Sequence, residues 1–277
     1  MTEWILAHEP AIRLSIFLGV FAAVAGWEVL APRRALVPGR LARWPNNISV
    51  VVLNTLVARL LFPAGAVGIA ALAESKGLGL LNALALPFWA KAAAAFLLLD
   101  LAIYLQHVLF HAVPALWRLH RMHHADLGFD VTTGARFHPI EIVLSMIIKA
   151  VIVAGLGAPV VAVIVFEVAL NATAMFNHAN ARLPAALDRA LRLVVVTPDM
   201  HRIHHSVAPV ETNSNFGFNM PWWDRLFGTY RAQPAAGHEG MTIGIEAFRE
   251  PADLRLDKML IQPFRGEAGH YSLARGE

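Results

Sequence analysis

The chain has 277 residues, 57% of them hydrophobic and only 16% charged, with a mean hydropathy of +0.52. Ordinary soluble domains carry about 25% charge, so the composition excludes a water-soluble globule, and a net charge of +3 without a long basic run excludes nucleic acid as a partner. The absence of cysteine removes disulfides, thiolate ligands and iron–sulfur clusters, which leaves any metal to histidine and carboxylate.

In chain order, residues 12–31 supply about the twenty apolar positions that span a bilayer and read as a retained membrane anchor. The loop 32–45 follows with Arg33, Arg34, Arg40 and Arg43. Residues 48–72 form a second apolar stretch, interrupted by Arg59 and Pro63, and the loop 73–83 carries only Glu74 and Lys76. A third stretch, 84–106, starts near Pro87 and runs into the first histidines. Residues 140–177 are too long for one span. Gly155, Gly157 and Pro159 break them, which predicts a hairpin of helices 140–156 and 159–177 that crosses the bilayer or re-enters it. The arginine bias puts loop 32–45 in the cytoplasm, the N-terminus outside and the histidine clusters on the cytoplasmic face, in what is expected to be a bacterial inner membrane. The polar segments 107–139 and 178–230 can meet as a cap, and 231–277 read as loop that covers the cap or stays mobile. No repeat or linker divides the chain. The expected fold is therefore all-α and one domain over 1–277: a polytopic bundle of about four to five membrane helices with a cytosolic, histidine-rich helical cap.

Eight of the thirteen histidines form three clusters: His107-x-x-x-His111, His120-x-x-His123-His124 and His201-x-x-His204-His205. Spacings of three and four share one helix face, and imidazole is the commonest protein metal ligand. Eight neutral ligands suffice for two ions at about four each. They leave the metal charge unbalanced, which favours an anionic bridge and nearby carboxylates. Imidazole suits zinc, copper, iron and nickel alike. His178 is read as a ninth ligand, and His138 and Asn180 as residues that support the ligands. Asp100 and Tyr104 share a helical face with His107. Asp100 lies two turns away, either orienting a ligand from another segment or packing against a nearby Tyr or Arg. Trp222 and Trp223 are expected at the headgroup level, Asp224 and Arg225 as a structural ion pair, and His8, His238 and His270 as solvated. Surface histidines and a structural zinc site are the plainer alternatives. The duplicated triple-histidine pattern argues against the first, and a ligand count above four argues against the second.

These residues resemble the fatty acid hydroxylase superfamily over roughly 96–231. The likeness runs from Asp100-x-x-x-Tyr104-x-x-His107-x-x-x-His111 through both His-x-x-His-His motifs and Thr132-Thr133-x-x-Arg136-Phe137-His138-Pro139-x-Glu141. It ends in Glu211-Thr212-Asn213-Ser214-Asn215-Phe216-Gly217 and Trp223-Asp224-Arg225-Leu226-Phe227-Gly228-Thr229-Tyr230. The resemblance implies an integral-membrane di-iron oxygenase that uses O2 and external electrons to hydroxylate, or desaturate, an aliphatic C–H bond of a lipid or sterol-like substrate. The implied metal-ligating, catalytic histidines are His107, His111, His120, His123, His124, His201, His204 and His205, with His178 a looser match. Some members carry a further histidine a turn later; Arg182 stands near that position here, so water is expected on one metal. The implied cofactors are two iron ions, with zinc an expected substitute in purified material. The implied partners are a lipid, O2 and a separate electron donor of cytochrome b5, ferredoxin or reductase type. Two other readings stand beside this one: a metal-dependent membrane hydrolase, which needs no O2, and a non-catalytic metal-binding membrane protein. The substrate is not legible in the sequence.

Overall fold

Apolar runs without charge favour helices in a membrane, because each helix satisfies its own backbone groups. A computed structural model describes residues 2–273, with side chains from His8 onward, and among these residues there is no strand beyond two isolated bridges. The helices are α1 (Thr2–Leu30), α2 (Arg40–Leu61), α3 (Gly65–Ser75), α4 (Leu80–Ala83), α5 (Phe88–Ala112), α6 (Pro114–His124), α7 (Pro139–Leu156), α8 (Val160–Asn177), α9 (Ala185–Leu191) and α10 (Pro198–His204), followed by shorter turns. Five segments are long and apolar enough to cross a bilayer: His8–Leu30, Arg40–Ala83, Phe88–Ala112, Pro139–Leu156 and Val160–Asn177. The chain is a polytopic helical membrane protein.

The hairpin follows the sequence reading. Gly157 closes α7 in the left-handed region at φ 62°, and Pro159 precedes the first turn of α8. The second stretch differs from expectation. It begins at Arg40 instead of 48, breaks at Phe62–Ala64 around Pro63, and continues through α3 and α4, so 73–83 is not a plain loop. The third helix extends to Ala112 and so holds both His107 and His111.

Helix α2 is amphipathic in the inverted sense. It buries Arg43, Asn47 and Asn54 and exposes Leu41, Ile48, Val52 and Leu56. Its polar face meets the cap. Arg43 donates to Asp126 at 2.6 and 2.7 Å and to Asp130 at 2.6 Å, and Asn47 donates to Asp126 and Thr132. Arg136 joins the network and donates to the Met122 carbonyl near the end of α6. Burial opposes ionisation of Asp126, but Arg43 and Arg136 overcome it and hold the carboxyl well below the usual carboxylate range. Asp126→Asn removes the carboxylate shared by the buried Arg43 and Arg136 and leaves Asp130 as the one anionic partner of Arg43. It is expected to cost about 3–5 kcal/mol, read as a lowered denaturation midpoint in detergent.

The membrane core packs through small side chains, with Ala66 and Ala70 of α3 and Ala95 of α5 against Val153, Val163 and Phe166. Three charges from different spans form a cluster. Glu167 of α8 accepts from Lys149 of α7 and Arg13 of α1, each at 2.8 Å, and Arg13 also reaches Glu9 at 2.7 Å. The segment after residue 250 covers the cap. Arg121 donates to the carbonyls of Gln262, Arg265 and Glu267, Arg118 donates to those of Pro263 and Gly266, and Tyr271 stacks on Trp117.

Candidate metal centre

Four elements deliver the histidines. The last two turns of α5 carry His107 and His111, and α6 carries His120, His123 and His124. His178 caps the C-terminus of α8, and α10 with its C-cap carries His201, His204 and His205. Helix α10 starts where Thr197 accepts a hydrogen bond from the Met200 amide and Pro198 takes the first turn. The nine side chains gather into two buried groups: His107, His111, His120, His124 and His204, and then His123, His178, His201 and His205. Within each group one nitrogen per ring lies within 4.8 Å of all the others. Each triple-histidine motif feeds both groups, because neighbours such as His123 and His124 diverge by roughly 100° around a helix.

The ring orientations are set from behind. His107 Nδ1 donates to the Phe216 carbonyl, His204 Nδ1 to that of Ser214 and His178 Nδ1 to that of Ala174, each at 2.7 Å. His120 Nδ1 donates to Glu141 Oε1 at 2.7 Å, and His111 Nδ1 to Asn213 Oδ1 at 3.1 Å. A donated Nδ1–H leaves the Nε2 lone pair free. Those lone pairs converge: His107 Nε2 lies 3.1 Å from His120 Nε2 and 3.0 Å from His204 Nε2, and His178 Nε2 lies 3.2 Å from those of His123 and His201. Facing lone pairs repel unless a cation sits among them. The His111 Nε2 and both ring nitrogens of His124 and of His205 are buried with no hydrogen-bond partner, a costly arrangement without a ligand. Burial pushes His120 and His178 down to about 3. Burial, then mutual repulsion, holds His123, His124, His201, His204 and His205 well below the ordinary imidazole value. Neutral, buried, inward-facing imidazoles fit a pair of transition-metal ions.

The remaining sequence candidates fall outside both groups. Asp100 contacts no histidine, tyrosine or arginine through a hydrogen bond; it accepts from Asn219 Nδ2 and Trp223 Nε1, each at 2.8 Å. The Tyr104 hydroxyl meets Thr229 Oγ1 at 2.9 Å. Both therefore brace the loop whose carbonyls hold His107 and His204. Asp224 and Arg225 form no ion pair. Asp224 accepts from the amides of Phe216 and Gly217 and from the Thr229 hydroxyl, while Arg225 lies over Tyr230 and donates to the Arg192 carbonyl. Burial still raises Asp224 to about 6. His138 caps α7 and bonds to the Leu260 carbonyl, and the Asn180 side chain pairs with the Arg34 backbone. His8 and His270 are exposed; His238, expected in solvent, is buried 3.7 Å from Asp199. Glu141 and Asn213 are supports that sequence reasoning did not single out, although both lie in the quoted motifs. Glu141→Gln is expected to weaken metal retention by roughly 10–100-fold, measured by competition with a chelator.

The fatty acid hydroxylase family matches residues 92–229. The chain belongs to the fatty acid hydroxylase superfamily. It is 30% identical over 135 residues to the ornithine lipid hydroxylase OlsE of Rhizobium tropici, covering 49% of this chain and 40% of that one. It is 26% identical over 160 residues to alkylglycerol monooxygenase of Homo sapiens, covering 56% and 34%, and 27% over 171 residues to that of Xenopus tropicalis, covering 60% and 36%. The chain thus spans 40% or less of the length of these superfamily relatives. No solved structure matches it.

Proposed function

We propose that this protein is a membrane-bound lipid hydroxylase with two iron ions, using O2 and electrons from a separate donor protein. The observation that supports this reading best is the convergence of nine buried histidines into two adjoining groups at the ends of membrane-spanning helices. Iron held there would supply activation of O2 for attack on an unactivated C–H bond. The chain's own residues prepare the place. Carbonyls of Phe216, Ser214 and Ala174 and the Glu141 carboxylate keep the imidazole lone pairs turned inward. Phe137, stacked 4.4 Å from His123, and Phe216, edge-on to His107, His111 and His204, exclude water around the rings. Proximity to the bilayer lets an alkyl chain reach the site without leaving the lipid phase. The names of the relatives support a lipid substrate, and the arginines of the α1–α2 loop, on the cap side, support a cytoplasmic cap in a bacterial inner membrane.

The test compares lipid profiles of cells that express the wild type and His204→Ala. Gain of one oxygen atom in a lipid class, absent with the variant, is the expected result. Loss of two hydrogens instead would make the protein a desaturase. Zinc-dependent hydrolysis that persists without O2 would replace the reading with the hydrolase one.

A further inference from the structure

The turn between α1 and α2 opens a cleft of about 770 Å³ whose lining includes Arg34, Ala35, Gly39, Arg40, Leu41 and Asn180. One candidate span ends at Leu30 and the next begins at Arg40, so the cleft sits at the boundary between bilayer and water. Its apolar margin is open: Leu41 of the lining is 92% exposed, and Leu30 and Val37, within two residues of the lining residues Pro32 and Leu36, are 86% and 82% exposed. Its lining is basic and includes no Asp or Glu. Arg40 has donors to spare. Its Nε is buried without a partner, and its Nη2 reaches only the Glu28 backbone carbonyl at 3.4 Å and the Glu28 carboxylate at 3.7 Å. Glu28 is itself occupied by the amides of Val131 and Asn180. Residues Gly39–Ala42, the start of α2 with no capping side chain, line the same cleft and add the positive end of a helix dipole.

The Arg40 guanidinium with donors to spare, the positive charge of Arg34, whose Nη1 donates to the His238 and Met241 carbonyls, a helix start and an aliphatic lip at the membrane boundary match one ligand chemistry. We propose that this cleft binds the phosphate of an anionic phospholipid, with the acyl chains lying along Leu30, Val37 and Leu41. A soluble phosphate would have no use for the lip. Asn180 connects the cleft to the metal centre, since its side chain pairs with the Arg34 backbone two residues after His178. A bound lipid therefore steadies the segment that carries a metal-facing histidine. The inference stands apart from the enzymatic reading and is tested without turnover.

The test is native mass spectrometry of the detergent-solubilised full chain with equal amounts of phosphatidylglycerol and phosphatidylcholine. Retention of phosphatidylglycerol over phosphatidylcholine by roughly tenfold is expected for two arginines near the surface. Arg40→Gln and Ala35→Glu are each expected to lower that preference by about fivefold. Ala35 is exposed, so its substitution leaves folding intact and keeps the test valid should Arg40→Gln misfold. Arg255→Gln, at an exposed arginine outside the cleft, is expected to leave the preference unchanged. Inorganic phosphate at the lipid's concentration is expected not to displace the adduct. Equal retention of the two lipids, an undiminished preference in Ala35→Glu, or displacement by phosphate would overturn the proposal.

Discussion

His201→Ala is expected to remove one metal ion and abolish the proposed lipid oxidation, whereas His111→Ala is expected to keep both ions. The asymmetry follows from the group sizes. His201 belongs to the four-histidine group with His123, His178 and His205, and His111 to the five-histidine group. Losing His201 leaves three imidazoles, one fewer than a closed tetrahedral site uses. It also removes the ring whose Nε2 stands 3.2 Å from that of His178. Losing His111 still leaves four rings, three of them held by Phe216, Ser214 and Glu141 from behind. Elemental analysis of folded, purified protein should fall from about two ions per chain to about one in His201→Ala, and stay near two in His111→Ala. Equal losses in both variants would mean that the nine rings do not divide into two sites.

The parts of the fold that were legible in the sequence are those with local causes. Gly157 and Pro159 stop and restart a helix by backbone geometry alone, so the hairpin boundaries were readable. Helix α2 was not, because hydropathy counts Leu41, Ile48 and Val52 but not which way Arg43, Asn47 and Asn54 face. The burial of Arg43 and Asn47 depends on Asp126 and Asp130, and that of Asn54 on the Phe137 carbonyl, all more than seventy positions away. The pairing of Glu167 with Arg13 and Lys149 was hidden for the same reason: charges inside apolar runs look like interruptions until their helices pack.

The metal centre shows the same division. Spacing identified His120, His123 and His124 as neighbours, but only the packing of α5, α6, α8 and α10 sorts them into separate groups. Helix counting correctly kept Asp100 away from His107. Its true partners, Asn219 and Trp223, lie 119 and 123 residues downstream, and no local pattern names them. Asp224 beside Arg225 invited an ion pair. The loop amides of Phe216 and Gly217 claim the carboxylate instead.

Stripped of metal, the protein is expected to lose its fold steeply as pH falls below about 6.5, the value near which histidine titrates in an unfolded chain. The sign follows from proton counting. Outside the spans, burial first and neighbouring imidazoles second keep His120, His123, His124, His178, His201, His204 and His205 neutral in the folded protein well below that pH. The unfolded chain then binds protons that the folded one refuses, so stability is full above the unfolded value and falls as pH drops. Each such histidine contributes a slope of up to about 1.4 kcal/mol per pH unit. Seven together would exceed a typical total stability of about 5–15 kcal/mol within one or two units. Bound metal engages the same lone pairs and moves the transition to lower pH, where protons displace the ions. Thermal scans by circular dichroism across pH 5–8, with and without zinc, measure both effects. A metal-free protein that melts at the same temperature at pH 5 and pH 7 would mean that the histidine cage opens to water, contrary to the burial seen here.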